Sequence, residues 1–293
     1  MRTIGRRSIV GCLAVLILGG LGADAAAEGW KAGAARAAIT PEGPIWMAGY
    51  AARTHPSEGA LHDLWAKALV LEDPRGQRAA LVTLDLCGID RALSRAVRDA
   101  LNAQYALPRE RVVLACSHTH SGPVVGSNLI TMYPLDDAQR RRVAAYTETL
   151  DEAIVGVVGR AIAALAPAEL AWETGRADFA VNRRANAQAE AATLRERIAL
   201  QGPVDHDVPV LRVAGADGAV RAVVCGYACH CTVLNGYELS GDYAGFAQVA
   251  LEEAHPGAVA LFVAGCGGDQ NPLPRGTVEH ARGYGRQLAE AVE

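Results

Sequence analysis

The sequence predicts an α/β or α+β domain: a mixed sheet with flanking helices and site residues at the strand ends. Three observations lead there. The chain has 293 residues, of which 51% are hydrophobic, enough to bury a large core. Short apolar runs bounded by turn residues alternate in part with segments of 3.6-residue periodicity. Polar residues capable of chemistry recur where the apolar runs stop, which is where such folds build sites.

The elements follow in chain order. Arg2, Arg6 and Arg7 precede an apolar stretch over residues 8–22, and Ala23-Asp24-Ala25 is a small-x-small cleavage site. Residues 1–25 therefore read as a signal peptide and 30–293 as one domain, expected in the periplasm or the medium. A membrane anchor is the alternative, but the stretch is short against a span of about 20 residues. Strands are expected over 67–72, 78–84, 112–117, 208–213, 220–228 and 258–263. Asp73-Pro74-Arg75-Gly76 and Ala216-Asp217-Gly218 mark two hairpins. Helices are expected over 91–105, 137–165, 187–199, 243–254 and 277–292, the fourth after the capping stretch Ser240-Gly241-Asp242. Helical periodicity runs to Glu293 with no capping glycine, a pattern that a natural end and a chain cut within its domain share; a partial domain is the expectation.

The net charge is −4 with no basic cluster, which excludes an electrostatic case for nucleic acid. No stretch after the leader is long and apolar enough for a transmembrane span. Cys12 lies in the leader. The other six cysteines match no zinc knuckle, and their pairing is open.

Four constellations could carry chemistry. His118-Thr119-His120 follows an apolar run and precedes Ser121-Gly122-Pro123. In extended backbone, residues two apart project to the same side, so both imidazoles could address one ion; two turn histidines bonded to backbone would look the same. Cys229-His230-Cys231 ends another run, with the thiols opposed to the imidazole, so the three are not expected to share a metal. A core histidine is the plain alternative. Gly265-Cys266-Gly267-Gly268-Asp269-Gln270-Asn271-Pro272 allows close backbone approach to a ligand, with Asp269 as an acceptor; it is not a phosphate loop, because no Lys-Ser/Thr follows. Asn182-Arg183-Arg184 could clamp a carboxylate or polar head group, or be a solvated turn. His62 and Asp85 also sit at the edges of apolar runs.

Taken together, these stretches resemble the N-terminal catalytic domain of the neutral/alkaline non-lysosomal ceramidases. The resemblance runs from Ala35-Arg36-Ala37-Ala38-Ile39-Thr40 and Trp46-Met47-Ala48-Gly49-Tyr50 through Gly59 to Ala68, His118-Thr119-His120-Ser121-Gly122-Pro123, Asn182-Arg183, His230 with Ser240-Gly241-Asp242-Tyr243, and Gly268–Pro272. That family holds one catalytic zinc and hydrolyses the amide of ceramide. The resemblance implies His118 and His230 as zinc ligands, His120 beside the metal against the substrate, and Arg183 positioning that substrate. It further implies Asp269 among the catalytic groups and Gly268 and Asn271 at the substrate. The family places a serine where this chain has Asn271, so water activated by the metal is the expected nucleophile. Its glutamate and tyrosine zinc ligands lie farther along than this sequence reaches; Asp85 or Asp242 could replace them.

The expected activity is zinc-dependent hydrolysis of a lipid amide, an N-acyl sphingoid lipid or a related compound. A zinc hydrolase with another amide or ester substrate, and a ligand-binding relative without turnover, are the alternatives.

Overall fold

The computed structural model describes residues 29–293. The signal-peptide assignment for residues 1–25 lies outside the described residues.

Twelve strands and five α-helices are present among these residues. In chain order they are β1 (Lys31–Ala38), β2 (Gly59–Ala60), β3 (Trp65–Glu72), β4 (Arg78–Leu84), α1 (Arg91–Tyr105), β5 (Val112–Cys116), α2 (Asp137–Ala163), β6 (Ala166–Arg176), β7 (Ala180–Asn182) and α3 (Ala191–Glu196). They continue with β8 (Asp207–Gly215), β9 (Val220–Tyr227), β10 (Glu238–Leu239), α4 (Asp242–Ala254), β11 (Val259–Ala264), β12 (Gln270–Pro272) and α5 (Val278–Val292).

The main sheet has eight strands in the order β11-β9-β8-β6-β1-β3-β4-β5. It is mixed: β4 with β5 and β9 with β11 run parallel, and the remaining neighbours antiparallel. Both expected hairpins form, β3–β4 and β8–β9. The sheet folds over on itself, so that β11 packs across β3, β4 and β5 despite lying at the opposite end of the strand order.

Strand alternation then fills three cores. Ala66, Ala68 and Val70 of β3 and Val82 and Leu84 of β4 face α1 and α2. Leu69 of β3, Val213 of β8, Ala222 of β9 and Leu261 of β11 meet between the two halves of the sheet. Cys225, Tyr227, Ala260 and Phe262 face α4 and α5. The order of layers is helix, sheet, sheet, helix, as expected when each sheet face must bury its apolar side.

Two expectations need correcting, and the open question of the cysteines is answered. The helix over 187–199 shrinks to the six residues of α3. The alanine-rich β1 and the largely exposed β6 carry no alternating pattern and were not foreseen. All six described cysteines are free thiols.

Candidate metal centre

The folding of the sheet brings together the C-terminal ends of its two parallel strand pairs. Residues 117–121 leave β5, and His120 N donates to Cys231 O at 3.1 Å in the segment leaving β9. His230 N in turn donates to Gln270 O at 3.0 Å, in the segment after β11. The histidine turn, His230 and the glycine-rich loop, read separately in sequence, are thus hydrogen-bonded into one site. Asn182-Arg183 joins them because β7 pairs antiparallel with β12, Asn182 opposite Gln270 and Val181 opposite Asn271.

The histidine turn is not the extended segment the sequence suggested. His118 has φ +59°, a left-handed conformation that non-glycine residues rarely adopt. Two bonds hold it there: His118 N donates to Leu86 O at 3.0 Å and Nδ1 to Cys87 O at 2.7 Å. Between the histidines, Thr119 Oγ1 donates to Ser240 O at 2.8 Å and accepts from Ser121 N at 3.1 Å. Ser240 N donates to Ser121 O at 2.9 Å, and Ser240 Oγ lies 3.0 Å from His62 Nε2.

Hydrogen bonding fixes the tautomers. A carbonyl only accepts, so His118 Nδ1 carries its proton and Nε2 presents a lone pair. The same holds for His230, whose Nδ1 donates to Gly267 O at 2.8 Å. His120 Nε2 lies 3.3 Å from His118 Nε2. The ring centres are 4.9 Å apart for His118–His120, 5.0 Å for His118–His230 and 5.7 Å for His120–His230. Burial, then the neighbouring His118 and His230, pull the His120 pKa down to about 3. Burial also lowers that of His230. Both imidazoles are therefore neutral at pH 7, the form that binds a metal.

These donors fit zinc. Two imidazoles each bonded through Nδ1–H to a carbonyl, with Nε2 left to bind a metal, are the usual ligand and outer-shell arrangement. Cys87, His118 and His120 can also each offer a ligand atom, all within 4.8 Å of one another. Burial pushes the Cys87 thiol up to about 11, which keeps it protonated.

The carboxylates considered as further ligands are committed elsewhere. Asp85 accepts from Trp65 N at 3.0 Å and from Gln248 Nε2 at 3.1 Å. Asp242 accepts from Val233 N, Leu234 N and Tyr243 N at 3.2, 2.9 and 2.7 Å. Its role is to shape the chain just after His230. Cys229 and Cys231 are buried in the apolar core that packs on α4 and α5.

Arg183 grips the glycine-rich loop rather than projecting freely: its N donates to Asp269 O and its Nη2 to Gly268 O, both at 2.8 Å. Its Nε is buried without a partner. Asp269 Oδ2 accepts from Asn182 Nδ2 at 3.2 Å. Gly268 is exposed, and Asn271 is buried on β12 with its Oδ1 unpartnered.

Sequence reasoning missed two cations. Arg53 is 4% exposed and bonds only to carbonyls, those of Ala48 and Gly236, with its guanidinium 4.9 Å from the Tyr50 ring centre. Tyr50 in turn meets the His120 ring edge-on at 4.9 Å. Arg275 donates to Thr232 O at 3.1 Å. Among the described residues, none of Arg53, Arg183 and Arg275 has a carboxylate within 4.0 Å. Neither missed residue lies in a periodic segment that would have drawn notice.

Fold and site together define a protein with a histidine centre at the strand ends of a folded mixed sheet. The chain belongs to the neutral/alkaline non-lysosomal ceramidase family, whose N-terminal profile matches residues 30–279. It is 28% identical to neutral ceramidase B of Dictyostelium discoideum over 246 residues, covering 78% of this chain and 33% of the relative. It is 27% identical to the neutral ceramidase of Pseudomonas aeruginosa over 257 residues, 83% of this chain and 37% of the relative. The chain thus spans about a third of the length of these curated relatives. The crystal structure of the Pseudomonas aeruginosa protein superposes with a TM-score of 0.74 at 23% identity, covering 90% of this chain and 44% of that one.

Proposed function

We propose that the chain is a zinc-dependent amidohydrolase acting on the amide of an N-acyl sphingoid lipid or a related lipid amide. The observation that carries this reading is the pair His118 and His230, with ring centres 5.0 Å apart and both Nδ1 atoms held by carbonyls, which leaves Nε2 of each as the nitrogen able to bind a metal. Zinc held there would polarise the amide carbonyl and bring the pKa of bound water to about 7. The chain's own groups supply the rest. Arg183, anchored on Gly268 and without a carboxylate within 4.0 Å among the described residues, is the cation that would stabilise the developing oxyanion. Asp269 and Asn182 brace the loop that carries Gly268 and Asn271 toward the substrate. Asn271 has no nucleophilic hydroxyl, which favours water as the attacking group.

A second reading has one observation behind it: Asp85 and Asp242 are both consumed by structural bonds, so a metal-free, ligand-binding relative shares this geometry. Hydrolysis of N-acylsphingosine by the full chain, with and without chelator, separates the two. Loss of turnover with chelator, and loss of zinc in both His118→Ala and His230→Ala, are expected. Turnover untouched by chelator, or equal zinc in parent and variants, would reject the metal reading. Residues 1–25 are read as an export signal, for which N-terminal sequencing of the expressed protein is the test.

A further inference from the structure

We propose that two loops outside the metal centre dock this chain on a lipid surface by inserting the side chains of Ile198 and Leu129. The proposal goes beyond the amidase reading and rests on it only in choosing a lipid surface over a protein partner.

Among the described residues, five non-glycine residues have positive φ: Ala106, His118, Leu129, Ile198 and Asp242. His118 and Asp242 belong to the metal centre or brace it. Ile198 and Leu129 are instead large, aliphatic and exposed, at 95% and 43%.

Ile198 closes α3. Its N donates to Arg195 O at 3.0 Å, and Ala199 N donates to Leu194 O at 2.8 Å. These are the two bonds of a helix-ending turn whose left-handed residue is usually glycine, which has no Cβ to clash. A β-branched residue there, at φ +54°, is a conformational outlier. Packing does not offset the strain, because the side chain stands almost wholly in solvent. A core lies within reach: Leu200, two residues on, packs with Val181, Ala191 and Leu273. Strain kept without a packing gain points to a use outside the fold.

The tip is held on the framework of the site. Asn182 Nδ2 donates to Pro203 O at 2.9 Å, Asn186 Nδ2 to Gln201 O at 2.7 Å, and Asp205 N to Gln270 Oε1 at 2.9 Å. Asn182 and Gln270 are paired across β7 and β12, next to Arg183 and Asn271. Leu129 lies in the other half of the molecule, in the segment from β5 to α2. It sits at φ +52°, and Met132 beyond it is 37% exposed. Tyr133 anchors that segment, its Oη accepting from Gly49 N at 2.9 Å, and Gly49 lies against the His120 ring. Both prongs therefore stand on loops tied to the rim of the centre.

The chemistry of the tips selects the partner. Residues 121–135 and 198–204 carry no charged side chain. Two separate prongs do not make the patch of roughly 800 Å² per partner that a stable protein interface needs. Hydrocarbon accepts an apolar side chain without a directional match. Exposed bases flank the tips, Arg197 at one and Arg140 at the other, but Glu196 and Asp137 stand beside them. Apolar transfer rather than charge is thus what binds the surface.

Two measurements on the full chain test this. In sedimentation with phosphatidylcholine vesicles, Ile198→Gly and Leu129→Ser should each weaken binding about tenfold or more. Ile198→Gly should at the same time keep or raise the melting temperature, because glycine accepts the left-handed turn. A purely structural role would not separate the two effects. Added phosphatidylglycerol or high salt should leave parent binding little changed. Binding that needs the anionic lipid and is lost in high salt would overturn the proposal. So would a dimer that Ile198→Gly dissolves, without vesicle binding, which would assign the prong to a second copy. With brominated phosphatidylcholine, Ile198→Trp should show quenching beyond that of the parent's own tryptophans. No added quenching would overturn the proposal, whatever residues 1–25 contribute to sedimentation. Neither measurement needs metal or turnover. Vesicle insertion without amidase activity would reject the proposed function alone. Zinc-dependent hydrolysis of a soluble short-chain amide without insertion would reject this proposal alone.

Discussion

Asp242 shows how a single carboxylate can support a site without entering it. It is fully buried, sits at φ +56°, and accepts from three backbone N–H groups, two of them in the turn after His230. Replacing it with alanine strands those donors, each costing about 1–3 kcal/mol when buried and unsatisfied. Asp242→Ala should therefore lose about 3 kcal/mol or more in urea unfolding. Burial, opposed by the three backbone bonds, raises its pKa from 3.8 to about 6. A carboxyl raised on folding binds its proton more tightly in the native state, so its contribution to stability falls as pH rises from about 4 to about 6. Measured at pH 7, 5 and 4, the stability difference between parent and Asp242→Asn should move in favour of the parent as pH falls. A difference that stays flat would show that the carboxylate is solvated. The sequence marked residues 240–242 as a cap and Asp242 as a possible metal ligand, not as a brace for the turn after His230. Bonds from Asp242 to residues 233 and 234 depend on a loop whose path no local pattern records. The histidine turn and the glycine-rich loop were legible because each is one continuous stretch. Their meeting was not, because it rests on bonds such as His120 N to Cys231 O, between residues distant in sequence. Arg53 stayed hidden for a related reason: it lies in irregular chain and is buried against carbonyls instead of an acid.

At the scale of elements, α1 runs over the residues its periodicity predicts, because its apolar stripe faces one core; β6 was missed because most of it lies exposed. The contact of α4 with α5 shows a second limit of sequence reading, since a glycine inside a helix looks like a weak point in either of two opposite cases. Gly285 sits where the helices cross: a Cβ there would come within 2.6 Å of Phe246 Cβ and 3.0 Å of both Ala247 N and Tyr243 O. Gly283, two residues earlier in α5, has nothing within 4 Å. Alanine is favoured over glycine in a helix by about 1 kcal/mol, while overpacking a tight contact costs about 1–3 kcal/mol. Gly283→Ala should therefore raise the melting temperature and Gly285→Ala should lower it. Equal shifts would mean that α4 can move away from α5 at no cost, which the two backbone atoms in the contact make difficult.

Across the whole molecule, the two halves of the folded sheet are joined by apolar contacts and by one buried ion pair. Lys67 of β3 is 1% exposed and points into the layer between the halves. Its Nζ donates to Glu252 Oε1 of α4 at 2.7 Å and to Ala260 O of β11 at 2.9 Å. Glu252 Oε1 also accepts from Ala260 N at 3.1 Å, and Glu252 pairs with Arg36 of β1. A lysine inside the apolar run of β3 carries no sequence mark of burial; only the folding of the sheet turns it inward. Removing one partner of a buried pair leaves an uncompensated charge and costs about 3–5 kcal/mol, whereas removing both often costs less. Lys67→Met should thus be destabilising, toward the lower end of that range because Arg36 still pairs with Glu252. Glu252→Gln keeps an acceptor for Ala260 N and removes the carboxylate that lost its lysine, so the double variant should lose less than the sum of the two single changes. The cycle is measured by urea unfolding of the four proteins. Coupling above about 0.5 kcal/mol is expected for groups in direct contact; additivity within that margin would mean that apolar packing alone holds the halves together. Zinc binding adds a functional check, because the candidate metal centre draws His118 from the end of β5 in one half and His230 from the end of β9 in the other. If the ion pair sets the register of the halves, Lys67→Met should weaken zinc binding even at temperatures where it remains folded, and the double variant should restore it in part. Unchanged zinc affinity in a folded Lys67→Met protein would confine the pair to stability and leave the alignment of the site to the direct bonds between its loops.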